Sequence, residues 1–290
     1  MSVGPAPGDG GARFVDLHSH STASDGSASP DAVAAAAAAA GIAALALTDH
    51  DTVDGVAIAR RSGAELGIEV IAGVELSAFE NDRETHILGL HLTTLGPLET
   101  RLAAFRSYRR ERAEKIVAVL NALAIPLTLD AVLREAGGGA IGRPHIARAL
   151  VAGGWVRDVR EAFDRWLGFR KPAFVPKQTL SVADAIRLVH SAGGIAVLAH
   201  PGAQGVREWL EPLSALGLDG VEVRHPSHNA EDIARLGALA DHLGLVPSGG
   251  SDWHGATAGS RVLNAMRVPY EWLDRQRERA AGHAARSRVA

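Results

Sequence analysis

The chain has 290 residues, of which 47% are hydrophobic, so it is long enough to bury a large core in one domain, with or without an inserted unit. Its formal net charge of −3 excludes the global basic field that draws proteins to nucleic acid or to membrane surfaces. There is no cysteine, which excludes disulfides, thiolate metal sites and cysteine nucleophiles and is compatible with a reducing cytoplasm.

The first predicted element is a strand that ends in Asp16-Leu17-His18-Ser19-His20. Residues 1–12, which precede it, contain Gly, Pro and Asp without an apolar run, so we expect a disordered leader there. In an extended strand alternate side chains point the same way, and His18 and His20 would therefore face one cation. Asp25 follows in a Gly-terminated loop, and such mixed nitrogen and oxygen donors favour a transition metal over calcium. By itself the motif is weak, since it also arises by chance.

Short apolar strands then alternate with helices. Strands are predicted at 43–48, 69–74, 86–92, 195–199, 220–224 and 245–248, and helices at 34–40, 53–66, 182–192 and 231–243. Near-continuous apolar strands separated by helices indicate a parallel sheet that is covered on its outer face. The predicted fold class is therefore α/β, with a closed or nearly closed barrel as the first choice and an open doubly wound sheet as the alternative.

Between these two groups of strands the pattern becomes purely helical. A long helix over 98–123 is followed by short helices around 130–135, 144–151 and 159–167. We expect residues 98–181 to form an all-helical insert that caps the active-site end. The barrel would then comprise 13–97 and 182–270, and 271–290 would form a C-terminal tail.

The long helix of this insert has a basic face. Its members are Arg101, Arg106, Arg109, Arg110, Arg112 and Lys115. The favoured interpretation is a solvated face with Glu111 and Glu114 as partners.

Histidine and acidic side chains end five of the predicted strands. These ends are His18-Ser19-His20, Thr48-Asp49-His50-Asp51, Gly73-Val74-Glu75, His200-Pro201-Gly202 and Ser251-Asp252-Trp253-His254. In α/β barrels the catalytic groups lie at the carboxyl ends of the strands. Five such ends favour one shared metal centre over five unrelated solvated loops.

These motifs, together with Leu198-Ala199-His200-Pro201, resemble those of the PHP (polymerase and histidinol phosphatase) family of metal-dependent phosphoesterases over about residues 14–268. The resemblance implies a distorted seven-stranded (β/α) TIM-like barrel with a trinuclear centre, of Mn²⁺ in the first instance and of Zn²⁺ or Fe²⁺ as alternatives. Carried over by position, the first ion would be held by His18, His20, Glu75 and Asp252, the second by Glu75, His86 and His200, and the third by Asp25, His50 and His254. Many relatives have histidine where this chain has Asp25.

A charge count agrees with a phosphate ester as the substrate. Three divalent ions carry about six positive charges and three carboxylates return three, so the excess matches a phosphate dianion plus a bridging hydroxide. Metal ions lower the pKa of bound water, and the resulting hydroxide would attack phosphorus in line. The catalytic candidates on the metal side are Glu75, Asp252 and His254. His225 and His228 are candidates for the general acid, and Asp51 ranks after them.

Arg143 is a candidate for binding a second anion. It lies immediately before a Pro-initiated helix, in Gly142-Arg143-Pro144-His145, where free backbone donors and a guanidinium could clamp a phosphate. The same run occurs in a subset of the family that resembles nucleotide bisphosphate phosphatases. The alternative is a surface arginine near a helix start.

Three further basic residues are candidates for substrate binding. The prolines of segment 171–177 keep it extended, which would project Lys171 or Lys177 into the cleft. Arg224 ends a predicted strand, where the alternative is a salt bridge to Glu222 or to another nearby acid.

Four histidines are left outside the site. His190 and His242 fall late in predicted helices, where we expect contacts with terminal carbonyls or solvent. His91 is expected to pack beside the site, and His283 belongs to the predicted tail, a frayed helix or disordered end.

The predicted function is removal of the 3' phosphate from nucleoside 3',5'-bisphosphates to give the 5' monophosphate. A three-metal centre suits a phosphomonoester as the group that is hydrolysed. A basic cap suits a leaving group that carries another anion. The enzymatic alternatives are a 5'-3' exonuclease or phosphodiesterase on short RNA or DNA and a histidinol-phosphate phosphatase. The alternative from another class is a metal-stabilised binding module. The predicted partner is a phosphorylated small molecule, a nucleotide or a short oligonucleotide. We expect no membrane, no obligate protein partner and a cytoplasmic location.

Overall fold

The computed structural model describes residues 13–80, 83–136, 141–176 and 180–287. The strands in this part of the chain are β1 Phe14–Asp16, β2 Ala44–Leu47, β3 Glu69–Glu80, β4 Arg83–Leu90, β5 Leu180–Ser181, β6 Ile195–Leu198, β7 Gly220–Arg224, β8 Val246–Gly249 and β9 Val268–Pro269. The helices are α1 Pro30–Ala39, α2 Val56–Leu66, α3 Leu95–Ala122, α4 Leu129–Ala136, α5 Arg143–Ala152, α6 Val159–Ala162, α7 Val182–Ser191, α8 Arg207–Ala215, α9 Ala230–Leu243 and α10 Tyr270–Ser287. The predicted leader, residues 1–12, lies outside the described residues.

The strands form one sheet that curls into a nearly closed barrel. Its order is β8-β7-β6-β4-β3-β2-β1-β9, and β5 pairs with β3. The two ends of the sheet approach each other where the amide of Leu17, just after β1, donates to the carbonyl of Gly249 in β8 at 3.1 Å. Ser19 and Trp253 extend this contact as an isolated parallel bridge. The predicted α/β barrel is confirmed, and the open doubly wound sheet is not formed.

The sheet is mixed, however, and not wholly parallel as the pattern of strands and helices predicted. β4 runs antiparallel to both β3 and β6, and β9 runs antiparallel to β1. Strands β3 and β4 pair from Gly73 with Leu90 to Glu80 with Arg83, which makes a long hairpin. Consequently the beginning of β4 lies beside the carboxyl ends of β1, β2, β6, β7 and β8. We call this end of the barrel the mouth.

Helices cover the outer face of the sheet, and their apolar side chains are buried against the strands. Helix α7 begins where the Ser181 hydroxyl accepts the amide of Asp184 at 3.0 Å, and it buries Ile186 and Val189 against the sheet. Helix α2 ends at Gly67, whose φ of 72° is the left-handed conformation that glycine adopts without strain.

The segment between β4 and β5 is helical and has an apolar cluster of its own. Ile116 and Leu120 of α3 pack there with Ile146 and Leu150 of α5. The first half of α3 instead buries Leu98 and Leu102 in the barrel core. Helix α3 therefore packs in both apolar clusters. We call residues 95–176 the cap. Within the described residues, no helix has both the length and the apolar character needed to cross a bilayer.

The C-terminal residues differ from the tail that we expected. Most of them form α10, in which Leu273 and Gln276 are fully buried. The Gln276 side chain donates to the carbonyl of Pro247 at 2.9 Å, so α10 is fixed to the barrel next to β8. The sequence allowed a frayed helix here but did not predict that it packs on the barrel, because its many arginines concealed a narrow apolar stripe.

Candidate metal centre

The nine predicted metal ligands all lie at the mouth of the barrel. They are supplied by seven places in the fold: His18 and His20 after β1, Asp25 before α1, His50 after β2, Glu75 in β3, His86 in β4, His200 after β6, and Asp252 and His254 after β8. His86 fits this pattern only because β4 is antiparallel and begins at the mouth. Its neighbour β6 runs the opposite way and delivers His200 to the same place.

Glu75 is the centre of this group. Its carboxylate is 1% exposed and contacts five imidazoles. Oε2 lies 3.2 Å from Nε2 of His18, 3.2 Å from Nε2 of His20 and 3.3 Å from Nδ1 of His50, and Oε1 lies 2.7 Å from Nδ1 of His86 and 3.0 Å from Nε2 of His200. Glu75 therefore lies where a carboxylate that bridges two cations would be placed.

Asp252 divides its two oxygens between different neighbours. Oδ1 lies 3.4 Å from Nε2 of His18 and 3.2 Å from Nε2 of His20. Oδ2 lies 3.5 Å from Nε2 of His225 and also accepts a hydrogen bond from Arg261. The residue has a φ of 50°, a strained value for a non-glycine residue that the surrounding contacts hold in place.

Asp25 lies nearer to solvent than the other two carboxylates. Its side chain is 45% exposed, against 1% for Glu75 and 13% for Asp252. Oδ1 lies 3.2 Å from Nε2 of His254, and Oδ2 lies 3.8 Å from Nε2 of His50. This outer group, with His20 behind it, is a third place where donors converge.

The electrostatics of the cluster are those of carboxylates surrounded by imidazoles. Burial alone would raise the pKa of Glu75, but the surrounding histidines hold it well below its usual range. Burial lowers the pKa of His20, yet hydrogen bonds to Asp252 and Glu75 raise it to about 9. The pKa of His18 is raised well above its usual value by Glu222 and Glu75, which together outweigh burial. The carboxylates therefore stay ionised, and their negative charges attract cations.

One buried nitrogen supports the presence of metal ions here. Among the described residues, Nδ1 of His20 is buried without a hydrogen-bond partner. A buried polar atom without a partner is costly, and a cation would satisfy this nitrogen. The donor set of imidazole nitrogens and carboxylate oxygens fits manganese, zinc or iron, and it lacks the all-oxygen character that calcium requires.

Sequence analysis missed Glu222 as part of the site. It lies in β7, is fully buried, and its two oxygens lie 3.1 and 3.2 Å from Nδ1 of His18. It also accepts the backbone amide of His200 at 2.8 Å. Glu222 therefore orients the imidazole of His18 and holds the backbone of His200, and carboxylates commonly orient metal-binding imidazoles in this way. Its signal in the sequence is a single charge inside the buried strand Gly220–Arg224.

The two general-acid candidates differ in their surroundings. Both ring nitrogens of His228 are used: Nδ1 donates to the carbonyl of Val223 at 3.0 Å, and Nε2 accepts the amide of Gly202 at 3.1 Å. His228 thus anchors the loop after β6 and has no nitrogen left for a leaving group. Nδ1 of His225 accepts the amide of Ser227 at 3.1 Å, which leaves Nε2 free to face Asp252.

Arg143 and Arg112 lie close together in the cap. Arg143 donates to the carbonyl of Leu167 at 3.0 Å, and its guanidinium lies 5.6 Å from the ring centre of Phe174. Arg112 of α3 donates to the carbonyl of Val175, which follows Phe174 in the chain, at 2.8 Å. Burial and the charges of Arg143 and Arg109 lower the pKa of Arg112 to about 10. The guanidinium groups of Arg112 and Arg143 are therefore close enough to repel each other.

The basic face of α3 is therefore only partly solvated. Arg110 pairs with Glu114 at 3.2 Å on the exposed side, as the favoured interpretation predicted. Arg109 instead pairs with Asp51, next to the predicted ligand His50, and this pair ties α3 to the mouth.

Of the remaining substrate-binding candidates, the structure describes Lys171 and Arg224, and neither pairs with a carboxylate of the cluster. Lys171 is exposed, and Lys177 lies outside the described residues. Arg224 donates to the carbonyls of Met266, at 3.4 Å, and of Arg267. The alternative salt bridge to Glu222 is wrong, because Glu222 is already engaged with His18.

Comparison with known proteins agrees with this geometry. The family model described as the PHP domain matches residues 16–172. A 3',5'-nucleoside bisphosphate phosphatase of Chromobacterium violaceum is 39% identical over 254 residues, which cover 85% of this chain and 89% of that protein. A 5'-3' exoribonuclease of Escherichia coli is 38% identical over 251 residues, covering 84% and 86%.

A solved structure has the same fold. It is a protein of Bifidobacterium adolescentis assigned as a metal-dependent phosphoesterase, and it superposes with a TM-score of 0.75 at 31% identity. The alignment covers 92% of this chain and 96% of that one.

Proposed function

Because this chain belongs to the PHP domain family of metal-dependent phosphoesterases, we propose that it removes the 3' phosphate from nucleoside 3',5'-bisphosphates and releases the 5' monophosphate. The observation that carries the proposal is the pairing of a carboxylate and imidazole cluster around Glu75 with the arginine pair Arg112 and Arg143 of the cap. The cluster suits the phosphate that is hydrolysed. The arginine pair suits a second phosphate on the leaving group.

The ligand groups of the proposal follow the contacts around the three carboxylates. His18, His20, Glu75 and Asp252 would hold one ion, Glu75, His86 and His200 a second, and Asp25, His50 and His254 a third, with manganese as the first choice and zinc or iron as alternatives. When bound, such ions supply a lowered pKa for water and neutralise the charge on the phosphate oxygens. The catalytic roles of Glu75, Asp252 and His254 are to hold these ions.

The side chains around the ligands orient them and handle the proton. Glu222 fixes the ring of His18 through Nδ1, so that Nε2 points to Glu75. When His225 is neutral, its Nδ1 accepts a hydrogen bond from the Ser227 amide and therefore carries no proton. The ring proton is then on Nε2, which faces Asp252. This makes His225 the better donor for the leaving alkoxide, ahead of His228, whose nitrogens are both engaged.

The cap residues bind the rest of the substrate in this proposal. Arg109 holds α3 against the mouth through Asp51, and Arg112 lies one turn further along the same helix. Arg143 joins it from the start of α5. Lys171, Lys177 and Arg224 stay candidates for contacts with the outer part of the substrate. A leaving group with a second anion would relieve the repulsion between the two guanidinium groups.

A second candidate function is 5'-3' exonuclease activity on short RNA. It is favoured by the similarity to the Escherichia coli exoribonuclease, which is nearly equal to the similarity to the phosphatase. A 5'-phosphorylated oligonucleotide offers the same combination of a phosphate ester and a second anion. For either activity, the proposed partners are nucleotides or short oligonucleotides, and we propose no membrane and no obligate protein partner. The proposed location is the cytoplasm.

The test is a comparison of substrates by protein reconstituted with Mn²⁺. We expect phosphate release from adenosine 3',5'-bisphosphate to be much faster than from AMP or histidinol phosphate. Faster hydrolysis of a 5'-phosphorylated trinucleotide would favour the exonuclease. Equal rates with all phosphomonoesters would contradict a pocket that is built for a second phosphate, and no hydrolysis of any of them would favour the binding module.

A further inference from the structure

A second group of convergent donors lies at the other end of the barrel. Asp219 immediately precedes β7, at the amino ends of the parallel strands. Its Oδ2 lies 2.7 Å from Nε2 of His190, at the end of α7, and its Oδ1 lies 2.6 Å from Nε2 of His283, in α10. The two imidazole centres are 4.4 Å apart. We call these three residues the base cluster.

The base cluster is held in position by the surrounding fold. Asp219 is 2% exposed, and its Oδ2 also accepts the backbone amide of Ala196 at 3.0 Å. The side chains of His190 and His283 are 26% and 20% exposed, so one side of the cluster remains open to solvent. The carboxylate is therefore oriented by the backbone, while the histidines leave room for a further ligand such as water.

We propose that His190, Asp219 and His283 bind a divalent transition metal ion, zinc in the first instance, which fastens α10 to the base of the barrel. Two imidazole nitrogens and one carboxylate oxygen, with one open position, are a common zinc donor set. All three donor atoms lie within 4.8 Å of one another, so small movements would bring them around one ion. Imidazole donors suit zinc, which is therefore the first choice for this site.

Among the described residues, Arg279 competes with a cation for the carboxylate of Asp219. The guanidinium Nη1 of Arg279 lies 3.6 Å from Oδ1 of Asp219, one turn before His283 on α10. Its Nη2 also donates to the carbonyl of Gly244 at 2.5 Å, so the group has a second anchor. A positive charge at this distance opposes a cation. Replacing it by a neutral side chain should therefore tighten zinc binding.

The first test is the location of zinc in crystals of the full chain. Crystals soaked in Zn²⁺ and measured on both sides of the zinc absorption edge should give an anomalous peak between the two imidazoles of the base cluster, in addition to peaks at the mouth. The peaks at the mouth are an internal control for soaking. Peaks at the mouth with none beside Asp219 would overturn the proposal.

The second test is the zinc content of variants after equilibration in a buffered zinc solution at pH 7.5. His190→Ala and His283→Ala should each bind one zinc fewer per chain than the wild type. His242→Ala is the matched control, because His242 is an exposed histidine late in α9, and it should bind as much as the wild type. Arg279→Gln should bind the same number of ions more tightly. Equal zinc content in the wild type and both cluster variants would show that the three residues form hydrogen bonds alone.

Discussion

Nδ1 of His86 lies 2.7 Å from Oε1 of Glu75, although the strand register places His86 opposite Ser77. The two side chains are diagonal neighbours on one face of the β3–β4 hairpin, and such neighbours come within reach when one of them is long. This contact exists because β4 runs antiparallel to β3. The second proposed ion therefore depends on the reversal of one strand for His86, in addition to the loop after β6 that supplies His200.

Glu222→Gln should weaken the metal centre without unfolding the barrel. The amide keeps the shape of the side chain but removes the charge that faces His18 and His200. We expect a loss of about 10–100-fold in the apparent affinity for Mn²⁺ or in activity. The measurement is activity against Mn²⁺ concentration. Glu211→Gln, on the exposed face of α8, is the control, and an unchanged Mn²⁺ dependence in Glu222→Gln would exclude this role.

Asp252→Asn should reduce turnover by at least about a hundredfold, because Asp252 faces the His18 and His20 pair with one oxygen and His225 with the other. The measurement is phosphate release at saturating Mn²⁺, with circular dichroism to verify the fold. Asp241→Asn, which changes an exposed carboxylate, should behave as wild type. Wild-type turnover in Asp252→Asn would remove this residue from the mechanism.

Arg112→Ala and Arg143→Ala should each act on substrates with two phosphates. A hydrogen bond to a charged group contributes about 1.5–3 kcal/mol, so kcat/KM for adenosine 3',5'-bisphosphate should fall about 10–100-fold. Hydrolysis of AMP should change little. Arg110→Ala is the control on the same helix, since Arg110 pairs with Glu114 at the surface. Equal losses on both substrates would instead indicate that the cap has been disturbed.

His91→Asn should make stability less sensitive to acid. Burial lowers the pKa of His91 to about 4, below its usual value of 6.5. The stability that depends on a neutral His91 is therefore present above pH 6.5 and is lost as the pH falls toward 4. Between pH 7 and pH 5 the wild type should lose about 2 kcal/mol more unfolding free energy than the variant.

Asparagine suits this position because His91 has a φ of 59°, a conformation that asparagine tolerates. Urea unfolding at both pH values measures the effect, with the exposed His242→Asn as control. An identical loss in the wild type and in His91→Asn would show that His91 does not titrate on unfolding.

The sequence was sufficient to predict the barrel and five strand ends with histidine or acidic residues, because metal sites need rare residue types at strand ends. The resemblance to the PHP family supplied the complete set of nine ligand candidates, including Asp25 and His86. It did not predict the direction of β4, since an apolar run has the same pattern in either orientation. The role of Glu222 also escaped prediction, because a lone carboxylate in a strand gains its meaning only when His18 is placed beside it.

Residues of the cap and of the C-terminus were harder to assign. In the sequence Arg112 cannot be distinguished from its solvated neighbours on α3. Its role depends on the segment Phe174–Val175, which is distant in the chain and accepts its hydrogen bond. His190 and His283 were expected in contact with carbonyls or solvent and in a tail, but they meet at Asp219 because α10 packs on the barrel. Contacts between residues so distant in the chain leave no local pattern.

The most direct measurement of the central claim is the anomalous scattering of manganese in crystals of the active, Mn²⁺-loaded chain. We predict three peaks at the mouth, each within ligand distance of Glu75, Asp252 or Asp25, and with Glu75 between two of them. Active crystals with no manganese peak near Glu75 would contradict the account.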